Sequence, residues 1–137
     1  MTNENLVLDA WTILAYLQDH SVTVEHLDRY LEEASHGSRK LKMSWINGGE
    51  VEYIIRHRHG KEEAREILEL IQFLPIALVE ATPDRVHQAA SVKAEGGLSY
   101  ADAFAVALAG EYDAQIITGD PEIIQHCPAE QVVNLTK

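Results

Sequence analysis

Short aliphatic runs alternate with helical stretches along the whole chain of 137 residues, and this alternation constrains the fold most. The runs at 5–8, 41–45, 76–80, 115–118 and 131–135 are predicted to be β-strands. Strands separated by helices favour a parallel sheet covered by helices on both faces. We therefore predict an α/β protein with a three-layer α/β/α arrangement and a central, mostly parallel sheet of four to five strands.

Apolar periodicity and terminal residues predict helices between these strands. Thr23 is expected to cap the second helix, and Thr82-Pro83 to begin the fifth. No repeat, low-complexity tract or linker interrupts the pattern, so residues 1–137 are expected to form a single domain. The predicted helices cover 10–19, 24–35, 46–59, 61–73, a stretch from Pro83 to Gly96-Gly97, 100–111 and a short segment from Asp120-Pro121.

Composition predicts a protein of the cytoplasm. Cys127 is the only cysteine, so an intrachain disulfide is excluded. The start of the chain lacks the pattern of a signal peptide, and its apolar runs are shorter than the roughly 18 residues that a membrane span needs. We therefore expect a cytoplasmic protein without membrane association.

The net charge of −11 is a poor match to nucleic acid when averaged over the chain, but the charge is unevenly distributed. Residues 39–61 contain six Lys or Arg against two Glu. This stretch is either a small basic face that docks a polyanion or a solvated helix end that suits the helix dipole. The residues of this stretch that would contact the phosphates of a polyanion are Arg39, Lys40, Arg56 and Arg58.

Four acidic residues are predicted to meet at one edge of the sheet. Asp9 directly follows the first strand, and Asp120 lies just past the fourth. Asp102 lies in the first turn of the helix before strand four, and Glu50 lies near the start of the helix after strand two. In open parallel sheets ligands bind at the carboxyl ends of the strands, where the strand order reverses, so these four carboxylates can converge there.

Clustered carboxylates repel one another and take up protons unless a cation neutralises them. Hard divalent ions such as Mg²⁺ and Mn²⁺ prefer oxygen ligands. One or two such ions activate water and stabilise the leaving oxygen of a phosphodiester, so metal-assisted phosphodiester hydrolysis is the chemistry to expect.

Each acid also has a purely structural interpretation. Asp102 is the last residue of an S-x-x-D capping box, Asp120 before Pro121 is an ordinary N-cap, and Glu50 suits the helix dipole. Asp9 is the hardest to explain this way, because an acid that ends an aliphatic strand lies beside the core.

Four motifs in register resemble a known family. They are LVLDAW at 6–11, INGGEV at 46–51, LSYADA at 98–103 and TGDPE at 118–122. Together they resemble the PIN domain and, more closely, the VapC toxins of prokaryotic type II toxin–antitoxin pairs. The resemblance covers essentially the whole chain and implies a PIN-like domain over residues 1–137.

This resemblance implies an endoribonuclease (a hydrolase) that uses Mg²⁺ or Mn²⁺, in which a carboxylate-bound divalent ion activates water to hydrolyse RNA. It also implies a homodimer, a cognate VapB-like antitoxin, and contact with operator DNA only through the antitoxin complex. The implied metal-binding and catalytic acids are Asp9, Glu50, Asp102 and Asp120, with Thr12, Asn47 and Thr118 as supporting residues. Glu52 leaves open which glutamate faces the pocket, and the register with Asn47 favours Glu50.

Other classes fit less well. A two-component receiver needs paired acids after the first strand and a lysine after the last strand, whereas Leu8 precedes Asp9 and the first lysine after strand five is Lys137. A phosphatase with an aspartyl nucleophile needs a second Asp where this chain has Trp11. The remaining alternative is a catalytically inactive PIN-like module that binds RNA or a partner, and the presence of all four acids argues against it.

Overall fold

A computed structural model describes residues 4–137 and contains one sheet of five parallel strands. The strand order is β3-β2-β1-β4-β5. The predicted α/β class with a central parallel sheet is confirmed. The strands are β1 (Asn5–Leu8), β2 (Lys40–Ser44), β3 (Ile76–Val79), β4 (Gln115–Thr118) and β5 (Val132–Asn134).

Seven α-helices connect the strands within residues 4–137. None of them is long and apolar enough to cross a membrane. They are α1 (Ala10–Leu17), α2 (Ser21–Ser35), α3 (Trp45–His59), α4 (Lys61–Phe73), α5 (Pro83–Ala94), α6 (Tyr100–Glu111) and α7 (Pro121–His126), with a 3₁₀ turn at Ala129–Gln131 before β5.

Several boundaries differ by a few residues from the sequence-based prediction, and the starts of α2 and α3 show a physical reason. Helix α2 begins at Ser21 and not at Val24, because the imidazole of His20 caps it: Nδ1 accepts a hydrogen bond from the Thr23 backbone N–H. The expected cap, Thr23, is buried in the first turn. Likewise, Trp45 begins α3 instead of ending β2, since the Ser44 hydroxyl accepts the Ile46 N–H at 3.1 Å and fixes the start of the helix.

Alternate side chains of the central strand β1 pack into two separate cores on opposite faces of the sheet. The sheet and the helices on its two faces therefore form three layers. Leu6 and Leu8 pack into the core beneath α1 to α4, whereas Val7 points to the opposite face, where α6 covers it. This alternation follows from the two-residue repeat of a strand. Leu6, Val7 and Leu8 are therefore buried between the two helical layers, and Asp9 is the first polar residue that follows them.

The strand order reverses between β1 and β4. From β1 the chain builds outward through β2 to β3 on one side and through β4 to β5 on the other. Leu8 of β1 pairs in register with Ile117 of β4, so the two strands end side by side. A crevice opens at the carboxyl ends of strands at such a reversal point. The residues that follow Leu8 and Thr118 are therefore carried to it.

Candidate metal centre

Asp9 follows β1 and is held rigidly at the base of the crevice. It caps α1, and one carboxylate oxygen accepts the Thr12 N–H at 3.0 Å. The other accepts the Thr118 hydroxyl at 2.5 Å. Asp9 is 1% exposed, and burial raises its pKa from 3.8 to about 6 despite these hydrogen bonds.

Thr118 connects Asp9 to the turn after β4. Its hydroxyl donates to Asp9 and accepts the backbone N–H of Asp120 at 2.9 Å. Asp120 in turn caps α7, and its Oδ1 accepts the Glu122 N–H at 2.9 Å. A single hydroxyl thus fixes the relative positions of two of the predicted acids. Thr12, also buried, donates its hydroxyl to the Ile117 carbonyl at 2.7 Å and ties α1 to β4.

Asp102 reaches the same crevice from the first turn of α6. The Ser99 hydroxyl caps this helix by accepting the Asp102 N–H at 3.1 Å. Asp102 is 7% exposed, and its pKa is raised to about 7, first by burial, then by the charge of Asp120 and a hydrogen bond to it, and further by Asp9 and Glu50. Its carboxyl group therefore meets other acids, whereas a capping role alone would leave it on the helix surface.

Glu50 approaches from α3 beside Asn47. Asn47 is fully buried, and its Nδ2 donates to the Ala101 carbonyl at 3.0 Å, which joins α3 to α6 next to Asp102. Burial raises the pKa of half-buried Glu50, a hydrogen bond from Asn47 lowers it, and the charge of Asp120 raises it. Glu50 therefore lies within electrostatic range of Asp120.

The donor set fits a hard divalent cation. One carboxylate oxygen from each of Asp102, Asp120 and Glu122 lies within 4.8 Å of the other two. Within residues 4–137 no ion pair neutralises these three acids, Asp9 or Glu50. The Oδ1 atom of Asn47 is also buried there without a hydrogen-bond partner. Unneutralised oxygen donors of this kind suit Mg²⁺ or Mn²⁺ better than softer metals.

Glu122 was not among the predicted acids, although it joins the closest group of carboxylates. It lies in the first turn of α7, where an acid is common simply because it suits the helix dipole. The sequence signal for Glu122 was its position two residues after Asp120, the residue that caps α7. The spacing brings both side chains to the same side of the crevice.

The predicted basic residues do not lie together. Arg39 and Lys40 lie at the amino end of β2, the edge of the sheet opposite to the acids. Arg39 pairs with Glu33 at 2.8 Å, and Lys40 pairs with Glu4 at 3.2 Å. Arg56 and Arg58 instead lie in the last turn of α3, whose other end carries Glu50. Of the four basic residues, only Arg56 and Arg58 lie on a helix that also carries one of the predicted acids, Glu50.

This fold and its acid-lined crevice define a known class of protein. The PIN domain family model matches residues 6–127. The chain therefore belongs to the PIN domain family.

Several solved structures share the fold at low sequence identity. DNA-bound VapBC from Salmonella typhimurium superimposes with a TM-score of 0.73 at 16% identity, covering 98% of this chain and 99% of that one. VapBC-1 from nontypeable Haemophilus influenzae gives a TM-score of 0.72 at 17% identity, over 97% and 99% of the two chains. Mycobacterium tuberculosis VapC20, a toxin that cleaves the sarcin–ricin loop, gives 0.60 at 16% identity, over 83% and 87%. No curated protein matches the sequence.

Proposed function

We propose that this protein is a metal-dependent endoribonuclease that acts as the toxin of a type II toxin–antitoxin pair. The observation that carries the proposal is the convergence of Asp102, Asp120 and Glu122 within 4.8 Å beside buried Asp9, without a neutralising cation from residues 4–137. Membership of the PIN domain family and the fold shared with an RNA-cleaving toxin support it.

The acids of the site would have different roles. Asp102, Asp120 and Glu122 would hold Mg²⁺ or Mn²⁺, with Asp9 and Glu50 completing the negative site. When bound, such an ion supplies a Lewis acid that stabilises charge as a phosphodiester is hydrolysed. Thr118 and Thr12 keep Asp9 in one orientation, and Asn47 orients Glu50 and holds α3 against α6. Rigid support of this kind keeps the reacting groups aligned.

The assembly is proposed from the relatives. Several of the solved structures that share the fold are toxin–antitoxin complexes, some of them bound to DNA, and we therefore propose a VapB-like antitoxin and contact with operator DNA only through that complex. A homodimer in the cytoplasm, with residues 1–137 as a single catalytic domain, completes the proposal.

RNA cleavage by the purified protein, freed of any partner, tests this function. Total cellular RNA is incubated with Mg²⁺, Mn²⁺ or EDTA, with Asp9→Asn and Asp102→Asn run alongside. We expect discrete fragments that need the metal and disappear in both variants. Glu130→Gln, an exposed acid in the 3₁₀ turn, is the matched control and should cleave like the wild type.

Two outcomes would count against a nuclease. Fragments that persist in EDTA or in Asp102→Asn would indicate a contaminant or a different site. No fragments from several RNA pools, with metal bound and the fold intact, would favour the alternative of a catalytically inactive PIN-like module that binds RNA or a partner.

A further inference from the structure

An exposed strip on α3 leads away from the acidic cluster. Tyr53, at its centre, is 62% exposed, so a face of its ring is open to solvent. At about 100° per residue, Ile46 and Glu50 before it and Arg56 and His57 after it all lie within roughly 60° of Tyr53 around the helix. We call Ile46, Tyr53, Arg56 and His57 the α3 strip.

The strip begins beside the acids and ends in positive charge. Glu50 lies about 4.5 Å from Tyr53 along the helix axis, and Arg56 lies about 4.5 Å beyond Tyr53, at 1.5 Å per residue. The last turn of α3 holds Arg56, His57, Arg58 and His59. No acidic residue occurs between Tyr53 and Lys61, and neither arginine forms an ion pair within residues 4–137. His59 pairs with Glu63 of α4 at 3.4 Å, so the unpaired positive charge of this turn is that of Arg56 and Arg58, on a chain with a net charge of −11.

We infer that the α3 strip binds single-stranded RNA next to the cleavage site, with a base stacked on Tyr53 and a backbone phosphate on Arg56. An exposed aromatic ring followed by cations is the combination that binds unpaired nucleotides, because every base offers a flat face and every phosphate a charge. The acidic crevice repels RNA, so a neighbouring cation offsets that repulsion. This inference rests on the proposed function, since it supplies the substrate surface for that cleavage.

The chain offers matched controls. Phe73 is 87% exposed but ends α4 at the amino edge of the sheet, opposite to the acids. Arg58 lies in the same turn as Arg56, yet the helical repeat turns it roughly 140° away from Tyr53. Tyr53→Phe keeps the ring and removes only the hydroxyl.

Equilibrium binding without cleavage tests the strip. Anisotropy of a fluorescein-labelled, unstructured oligouridylate of about ten nucleotides is measured in EDTA at several salt concentrations. We expect Tyr53→Ala to weaken binding about tenfold, and Tyr53→Phe and Phe73→Ala to stay within about twofold of the wild type. Arg56→Gln should lower the slope of log affinity against log salt by about 0.7, the value for one phosphate contact on a single strand, and Arg58→Gln should change it less.

The inference is overturned if Tyr53→Ala binds like Phe73→Ala, if Arg58→Gln matches Arg56→Gln, or if the wild type does not bind the oligonucleotide. It is also overturned if light scattering shows that Tyr53→Ala separates a dimer and that the loss of RNA affinity follows the loss of dimer, because the strip is then an interface with a second copy. If the wild type cleaves RNA in the presence of metal but Tyr53→Ala binds RNA as well as the wild type, the inference about the α3 strip fails and the proposed nuclease function stands. If RNA binds through the α3 strip but no RNA is cleaved, the inference stands and the proposed nuclease function fails.

Discussion

The indole of Trp11 lies directly against the backbone of Gly119: a Cβ atom built on this glycine would stand 2.1 Å from Cη2 of the ring. The imidazole of His20 contacts the same indole edge-on, with the ring centroids 5.7 Å apart. Gly119 lies between Thr118, which donates to Asp9, and Asp120. Only glycine fits at position 119, because the indole of Trp11 lies too close for a Cβ atom. This contact sets the position of the turn that carries Asp120.

Gly119→Ala should consequently damage both the fold and the site. Overpacking of this kind costs about 1–3 kcal/mol, and we expect that loss in the free energy of unfolding measured with urea, together with weaker Mn²⁺ binding. Removing the ring should relieve the clash, so Gly119→Ala should cost less in a Trp11→Ala background. Gly110→Ala, on α6 with nothing within 4 Å of its built Cβ, is the control and should be neutral or stabilising. Equal costs in both backgrounds would contradict the contact.

Thr118→Val tests the hydroxyl that joins Asp9 to Asp120. The substitution keeps the shape but leaves a buried carboxylate oxygen and the Asp120 N–H without their partner, which costs about 1–3 kcal/mol. The pKa of Asp9 should rise further, because the hydrogen bond from Thr118 holds it down. Urea unfolding and carboxyl titration by NMR measure the two effects. Thr118→Ser restores the hydroxyl and should rescue both, and a Ser variant that behaves like Val would refute this role.

The stability of the metal-free protein should fall as pH rises through the range in which the site acids ionise. The pKa of Asp9 is about 6 and that of Asp102 about 7 in the folded chain, against 3.8 for an unperturbed Asp. The folded state thus keeps protons that the unfolded state has released, so their stabilising contribution is full below about pH 4 and is lost through about pH 6 to 7. For Asp9 alone this amounts to at most about 3 kcal/mol.

Urea unfolding in EDTA between about pH 5.5 and pH 8 measures this dependence. Asp102→Asn removes one of the two titrating groups, so its stability should fall less steeply and should exceed that of the wild type at the upper end. A wild-type free energy of unfolding that stays flat or increases over this range would show that the acids are not held together as described.

Much of the fold could be predicted because local signals and tertiary contacts agree. The sequence predicts the starts of α5 and α6 from Thr82-Pro83 and Ser99, and the end of α3 from Gly60, whose φ of 95° suits glycine. The start of α2 could not be predicted, because His20 caps it through a ring nitrogen and histidine is not a usual capping residue. Strand β5 is shorter than the apolar pattern suggested, since Gln131 closes a 3₁₀ turn.

The site was predictable where a strand end fixed the position of the side chain. Asp9 and Asp120 follow strands that pair in the centre of the sheet, so the reversal of strand order brings them together. Arg39 and Lys40 are close in sequence to the motif of Glu50, but the length of β2 separates them from it, and the sequence alone does not show this separation. The contact of Trp11 with Gly119 joins residues 108 positions apart, and the sequence carries no local signal for it.

Glu122→Gln measures the contribution of the acid that sequence reasoning missed. Its carboxylate lies with those of Asp102 and Asp120 within 4.8 Å, so removing its charge should weaken Mn²⁺ binding about tenfold, because affinity for hard cations depends on the number of charged ligands. The exposed position of Glu122 predicts an unchanged fold. Glu130→Gln removes the same charge elsewhere and should bind Mn²⁺ like the wild type. Equal affinities for the two variants would exclude Glu122 from the site.

The converged carboxylates are proposed to form a divalent-cation site. Titration of the purified protein with Mn²⁺, followed by the loss of the free-ion signal in electron paramagnetic resonance, tests it most directly. We predict saturable binding to the wild type that Mg²⁺ displaces and that Asp102→Asn abolishes, with both proteins folded by circular dichroism. Absence of saturable binding to the wild type, or binding of equal strength to Asp102→Asn, would contradict the account.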